Sequence, residues 1–171
     1  MDISVIIPVY NGEHSLKELN RRIHETLVKS MKTYEIIYVD DFSQDDSRTV
    51  IRSLAAENSQ VRYIFFSENF GQQAAIFAGL EKSIGSVIVT IDDDLQHPPE
   101  DIPLLLDELG TSEGIFAFPI EKPHMVYRKW GSFLTDQLFN WIFRKNSDLK
   151  ISSFRAIRRV IVDRMIAEKS G

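Results

Sequence analysis

The stretch Val87-Ile88-Val89-Thr90-Ile91-Asp92-Asp93-Asp94-Leu95-Gln96, followed at once by His97-Pro98-Pro99, decides how this chain is read. A run of apolar and β-branched residues describes a strand covered on both faces, the habit of parallel sheets. That strand delivers adjacent carboxylates to its own end. Such a cluster repels itself unless a cation neutralises it, and an oxygen-only donor set suits Mg²⁺ or Mn²⁺. These ions bind through one or two carboxylates plus substrate phosphates, so the stretch points to a metal–diphosphate site. A purely structural reading also exists, because aspartate caps helices and proline opens them. It accounts for one of the acids beside a helix starting near Pro99, not for all of them.

Working outward, strands and helices alternate. Ile3–Val9 reads as a strand, and Ser15-Leu16-Lys17-Glu18 has capping-box spacing ahead of Leu16, Leu19, Ile23 and Leu27 at helical intervals. Tyr34–Val39 is a second strand, and Asp45-Asp46-Ser47 opens a helix carrying Val50, Ile51 and Leu54. Val61–Phe66 is a third strand. Gly71–Lys82 reads as a helix whose Ala74, Ala75, Ala78 and Gly79 suit close packing on a sheet. A helix over Pro99–Leu109 and a short strand over Ile115–Phe118 follow the acidic stretch. From Met125 onward, Trp130, Phe133, Leu134, Leu138, Trp141, Ile142 and Phe143 read as helical. The alternation implies βαβ units, a mostly parallel Rossmann-like α/β sheet and helices on both faces. Ligands in such sheets sit beyond the strand carboxyl ends. Here those ends carry Pro8–Glu13, Asp40-Asp41, Ser67–Gly71 and Asp92–Gln96.

At 171 residues the chain is the size of one domain, with a nucleotide-binding part over 1–110 and an acceptor-side helical part over 120–171. A net charge of −5 argues against nucleic acid as a partner. The absence of cysteine excludes disulfides, thiolate metal sites and thiol nucleophiles. No apolar run approaches the roughly 18 residues that span a bilayer. Basic residues crowd the last third, and no stop signal follows Gly171, so the domain is expected to be incomplete at its C-terminus.

Four loop motifs in order carry a resemblance. They are Val5-Ile6-Ile7-Pro8-Val9-Tyr10-Asn11, Val39-Asp40-Asp41-Phe42-Ser43-Gln44-Asp45-Asp46-Ser47, Asn69-Phe70-Gly71-Gln72-Gln73-Ala74-Ala75 and Asp92-Asp93-Asp94-Leu95-Gln96-His97-Pro98-Pro99-Glu100. Together they resemble family 2 glycosyltransferases of the GT-A fold, in the branch similar to dolichol-phosphate mannose synthase and bacterial polyprenyl-phosphate sugar transferases. Ser147-Asp148-Leu149-Lys150-Ile151-Ser152-Ser153-Phe154-Arg155 is similar to that branch too. The resemblance implies a nucleotide-diphosphate-sugar donor with UDP favoured, inverting transfer and a Mg²⁺ or Mn²⁺ cofactor. It implies that Pro8, Tyr10 and Glu13 line the base and ribose pocket, and that Asp40 or Asp41 hydrogen-bonds the base. Asn69, Gly71, Asp92, Asp93 and Gln96 are expected at the donor, Asp92 and Asp94 at the metal, and Asp94 and Asp93 as catalytic carboxylates.

Arg128 and Ser132, read as neighbours on one helix face, are the implied holders of an acceptor phosphate, a group that Arg's geometry suits. A phosphate oxygen is anionic near neutral pH and needs no strong base, whereas a sugar hydroxyl does. The chain departs from its relatives here. Some carry an Asp before the Phe-Arg pair where this chain has Ser153, a poor base, which leaves a phosphate acceptor or a base elsewhere, such as Asp93 or Asp148. Gly12 stands where relatives often have Glu, with Glu13 as its stand-in, and Lys122 replaces an Arg charge after the fifth strand. The expected function is thus metal-dependent sugar transfer to polyprenyl phosphate at the cytoplasmic face of the plasma membrane, with membrane association supplied by a further C-terminal region. Transfer to a sugar hydroxyl of a surface glycan, and a donor-binding module without turnover, are the alternatives.

Overall fold

The computed structural model describes residues 1–118, 126–130 and 153–169. Its strands are β1 (Ile3–Val9), β2 (Tyr34–Asp40), β3 (Val61–Phe65), β4 (Val87–Thr90), β5 (Gly114–Phe118), β6 (Val126–Trp130) and β7 (Arg155–Arg158). The helices are α1 (Leu16–Lys29), α2 (Ser47–Glu57), α3 (Gln72–Lys82), α4 (Ile102–Leu109) and α5 (Arg159–Lys169), with a 3₁₀ turn, Pro99–Asp101, leading into α4. One sheet runs in the order β3-β2-β1-β4-β7-β5-β6. β1, β2, β3 and β4 are mutually parallel, β7 is antiparallel to both β4 and β5, and β6 is antiparallel to β5. β1 to β5 therefore point one way and only β6 and β7 oppose them, which is the mostly parallel α/β sheet expected.

Alternation along β1 shows why both faces need helices. Val5, Ile7 and Val9 pack with Leu19, Ile23, Ile51 and Leu105 of α1, α2 and α4. Ile6 points the other way, into Ala75, Ile76, Leu80, Ile161 and Val162 of α3 and α5. All seven residues of β1 and of β2 are buried, as strands covered on both sides must be. Gly79 matters at this seam, because a Cβ there would run into Ile6 and push α3 off β1.

Two local readings change. The capping box does not form: Ser15 Oγ donates to the Gly12 carbonyl, and Glu18 is held by Arg21. The helical reading from Met125 fails at Val126–Trp130, which is strand β6, so Arg128 lies on a strand opposite Phe116 rather than on a helix face shared with Ser132. Its Val126, Tyr127 and Trp130 are residue types that favour strands, and pairing with β5 decides the matter. Ser132, Lys122, Asp148 and the expected helix of Phe133–Phe143 lie outside the described residues.

Candidate active site

The carboxyl ends of β1, β2 and β4 meet at one cleft of about 280 Å³. Among the described residues its walls are Pro8 and Val9 at the end of β1, Tyr10 just after it, Asp41 after β2, Gln72 at the start of α3, and Asp92, Asp93 and Asp94 after β4. Six residues expected from sequence, Pro8, Tyr10, Asp41, Asp92, Asp93 and Asp94, are thus brought together. Glu13, Asp40, Asn69, Gly71 and Gln96 are not on these walls.

Each of those five has a visible local task. Glu13 caps α2, its Oε2 accepting the Asp46 N–H at 2.7 Å, while its own N–H donates to Asp45 at 3.0 Å. Asp40 is fully buried and pairs with Arg48 Nε at 2.6 Å, and its Oδ2 also accepts the Ser43 N–H. Asn69 and Gly71 tie the third loop to Asp41: Asn69 Nδ2 donates to the Asp41 carbonyl, and the Phe70 and Gly71 amides donate to the Asp41 carboxylate at 2.7 and 2.8 Å. Asp41 therefore orients the third loop and reaches the cleft at once. Gln96 is exposed and closes a turn by donating its N–H to Asp94 Oδ1 at 3.0 Å.

The loops from β1 and β2 are stitched to each other. Asn11 N–H donates to Ser43 Oγ, Gly12 N–H to Ser47 Oγ, and Gln44 N–H to Asn11 Oδ1. Tyr10 stands out of this frame with half its surface exposed, a flat apolar face open to a planar ligand. Gly12 sits close beneath the Asp93 carboxylate, so a Cβ there would push the Asp93 side chain aside. Glu13, the suggested stand-in for a glutamate at 12, spends its Oε2 on the Asp46 N–H.

The three acids after β4 differ sharply. Asp92 is gripped from two sides: Gln72 Nε2 donates to its Oδ1 at 2.7 Å, and Ser153 Oγ donates to its Oδ2. Asp93 is largely enclosed, and its Oδ2 is buried with no hydrogen-bond partner among the described residues. Burial pushes the Asp93 carboxyl up to about 6, with the Asp92 and Asp94 charges adding to the rise and the Tyr10 N–H opposing it. Asp94 is exposed at the mouth.

This arrangement fits a hard divalent cation brought with a diphosphate. The donors are all oxygens, an orphaned carboxylate oxygen sits among them, and Asp94 faces the opening. Among the described residues no group of three or more His, Cys, Asp or Glu side chains is arranged to hold a metal by itself. His97 stacks on Phe154 beside the cleft.

Sequence reasoning missed Val9, Gln72 and the seam beneath Asp92. β7 lies against β4 and brings Ser153, Phe154 and Arg155 under the acids. Arg155 is fully buried, its Nε donating to Thr90 Oγ1 at 3.0 Å. Burial pushes this guanidinium down to about 10, and the Asp92 charge works against that fall, so it stays cationic at neutral pH. Only the Phe-Arg motif itself hinted at this.

A Rossmann-like sheet with an acidic cleft beyond its strand carboxyl ends is the arrangement of a GT-A fold. Residues 4–169 match the family model described as Glycosyl transferase family 2, and the chain belongs to that family. It is 37% identical over 171 residues to an undecaprenyl-phosphate 4-deoxy-4-formamido-L-arabinose transferase of Pseudomonas fluorescens, covering 96% of this chain and 49% of that protein. A transferase of the same name from Klebsiella pneumoniae is 36% identical, with 96% and 51% covered. The chain thus spans about half the length of the curated relatives it matches. Two solved structures share the fold. Glucosyl-3-phosphoglycerate synthase from Mycobacterium tuberculosis superposes with a TM-score of 0.62 at 21% identity, covering 93% of this chain and 57% of its own. A mannosyltransferase from Pyrobaculum calidifontis, solved with GDP-Man and Mn²⁺, gives 0.61 at 18% identity, with 95% and 46% covered. No helix among the described residues is long and apolar enough to cross a membrane.

Proposed function

We propose that this chain transfers a sugar, with inversion, from a nucleotide-diphosphate sugar to a polyprenyl phosphate at the cytoplasmic face of the plasma membrane. The observation that carries the reading is the convergence of Tyr10, Asp41 and the Asp92–Asp94 cluster on one cleft. Tyr10 offers its face to the base. Asp41, already fixed by two amides, presents a carboxylate that accepts the imide N–H of a uracil, which favours UDP. Asp92 and Asp94 hold the cation, and Asp93 and Asp94 bound the space of the diphosphate and the anomeric carbon. When bound, Mg²⁺ or Mn²⁺ supplies Lewis-acid stabilisation of the leaving diphosphate.

The residue at 153 supports the phosphate acceptor, with Asp93 as the base that a hydroxyl acceptor would need instead. The Ser153 hydroxyl donates a hydrogen bond to Asp92, so the position where some relatives carry an acid offers no base here. A phosphate oxygen, anionic already, attacks the anomeric carbon without one, whereas a sugar hydroxyl requires proton removal. The names of the relatives, undecaprenyl-phosphate transferases, support the same acceptor. Arg128, on β6, is assigned to that phosphate. The test is transfer from a panel of UDP- and GDP-sugars with undecaprenyl phosphate and a soluble glycan as rival acceptors. A lipid-extractable labelled product that is lost in Arg128→Ala, with nucleotide affinity intact, is expected. Labelled glycan with no lipid product would replace this acceptor by a hydroxyl.

A further inference from the structure

A chain of polar contacts runs behind the acidic cleft, from one buried cation to one carboxylate. Arg155 Nε donates to Thr90 Oγ1 at 3.0 Å, Thr90 Oγ1 donates to the Ser153 carbonyl at 2.5 Å, and Ser153 Oγ donates to Asp92 Oδ2. Thr90 and Arg155 face each other directly across the β4–β7 ladder and both are fully buried. Ser153 lies just before β7 begins, so the ladder that seats Arg155 also fixes the height of the serine hydroxyl. Gln72 Nε2 closes the other side of the same carboxylate at 2.7 Å. Asp93 and Asp94 receive nothing comparable from β7 among the described residues.

We propose that Ser153, backed by Thr90 and Arg155, is a positioning residue that fixes the Asp92 carboxylate for a divalent cation. The inference rests on the functional reading above and deepens it. Three neighbouring acids repel one another, and an unsupported Asp92 would rotate away from Asp93 into solvent. The serine hydroxyl holds one oxygen towards β7 while Gln72 holds the other, leaving each oxygen a further lone pair for the ion. The buried guanidinium offsets part of the cluster's charge without occupying the cleft. Outer partners of metal-binding carboxylates act in this way, and their loss costs about 10–100-fold in metal affinity.

The experiment is titration of the chain with UDP by calorimetry, with and without saturating Mn²⁺, for the unaltered protein, Ser153→Ala, Ser153→Thr and Thr90→Val. The expected result is a metal-dependent gain in UDP affinity that falls about 10-fold in Ser153→Ala and Thr90→Val and returns in Ser153→Thr. Metal-free UDP affinity and the melting temperature of Ser153→Ala stay at the unaltered values. A full gain in Ser153→Ala overturns the proposal, and so does an equal loss with and without metal, which marks general disruption. A gain missing from the unaltered chain sinks the functional reading itself, and the role of Ser153 falls with it.

Discussion

The tips of β2 and β4 carry the same residue in the same place and use it in opposite ways. After β2, Asp40 is paired with Arg48 and the Ser43 amide, and Asp41 with the Phe70 and Gly71 amides. Those carboxylates hold loops in register. After β4, three acids crowd together, Asp93 is left with a buried oxygen unpartnered and a carboxyl raised to about 6, and Asp94 faces solvent. Asp40 Oδ1 is also buried without a hydrogen-bond partner among the described residues, so an unsatisfied oxygen does not by itself separate the two tips. What differs is that Asp40 is neutralised by Arg48 away from the cleft, whereas the acids after β4 crowd together on its wall.

Three substitutions sharpen that contrast, and the largest effect belongs to the fasteners. Arg48→Ala leaves Asp40 as an unpaired buried charge and is expected to lower unfolding free energy by about 3 kcal/mol, read by urea denaturation. Equal stability in this variant would break the distinction. Asp93→Asn is expected to act with the opposite sign. The folded-state value of about 6 lies above the usual 3.8, so the folded chain binds the proton more tightly than the unfolded one. Stability from this group is present below about 4 and is lost as pH rises to about 6. The amide removes that loss, and the metal-free variant should gain about 1–2 kcal/mol at pH 7 with a flatter pH profile between those limits. Tyr10→Ala is the smallest, with about 5–10-fold weaker UDP binding and an unchanged melting temperature, since the ring is half exposed and packs on little.

Legibility in the sequence follows the same division. The buried parallel strands and amphipathic helices through Leu109 show in periodicity, because each apolar residue reports its own burial. The cleft shows in part, since Pro8, Tyr10 and the three acids sit at strand ends. β6 and β7 do not show. Arg155-Ala156-Ile157-Arg158 has charged ends, and a basic residue reads as surface until the partner that buries it is known. Glu13 has a contact of the same hidden kind. Its acid serves the N-terminus of α2, a contact set by the pairing of β1 with β2 and invisible along the chain. Ser153 read as a missing base, whereas its neighbour in space, Asp92, gives it a use as a donor.

The central claim is that the acids after β4 bind a cation which in turn binds a diphosphate. The most direct measurement is calorimetric titration of Asp94→Ala with UDP, with and without Mn²⁺, beside the unaltered chain. The account predicts a metal-dependent gain in the unaltered chain that disappears in Asp94→Ala, with metal-free affinity retained. A gain of the same size in both proteins would contradict it.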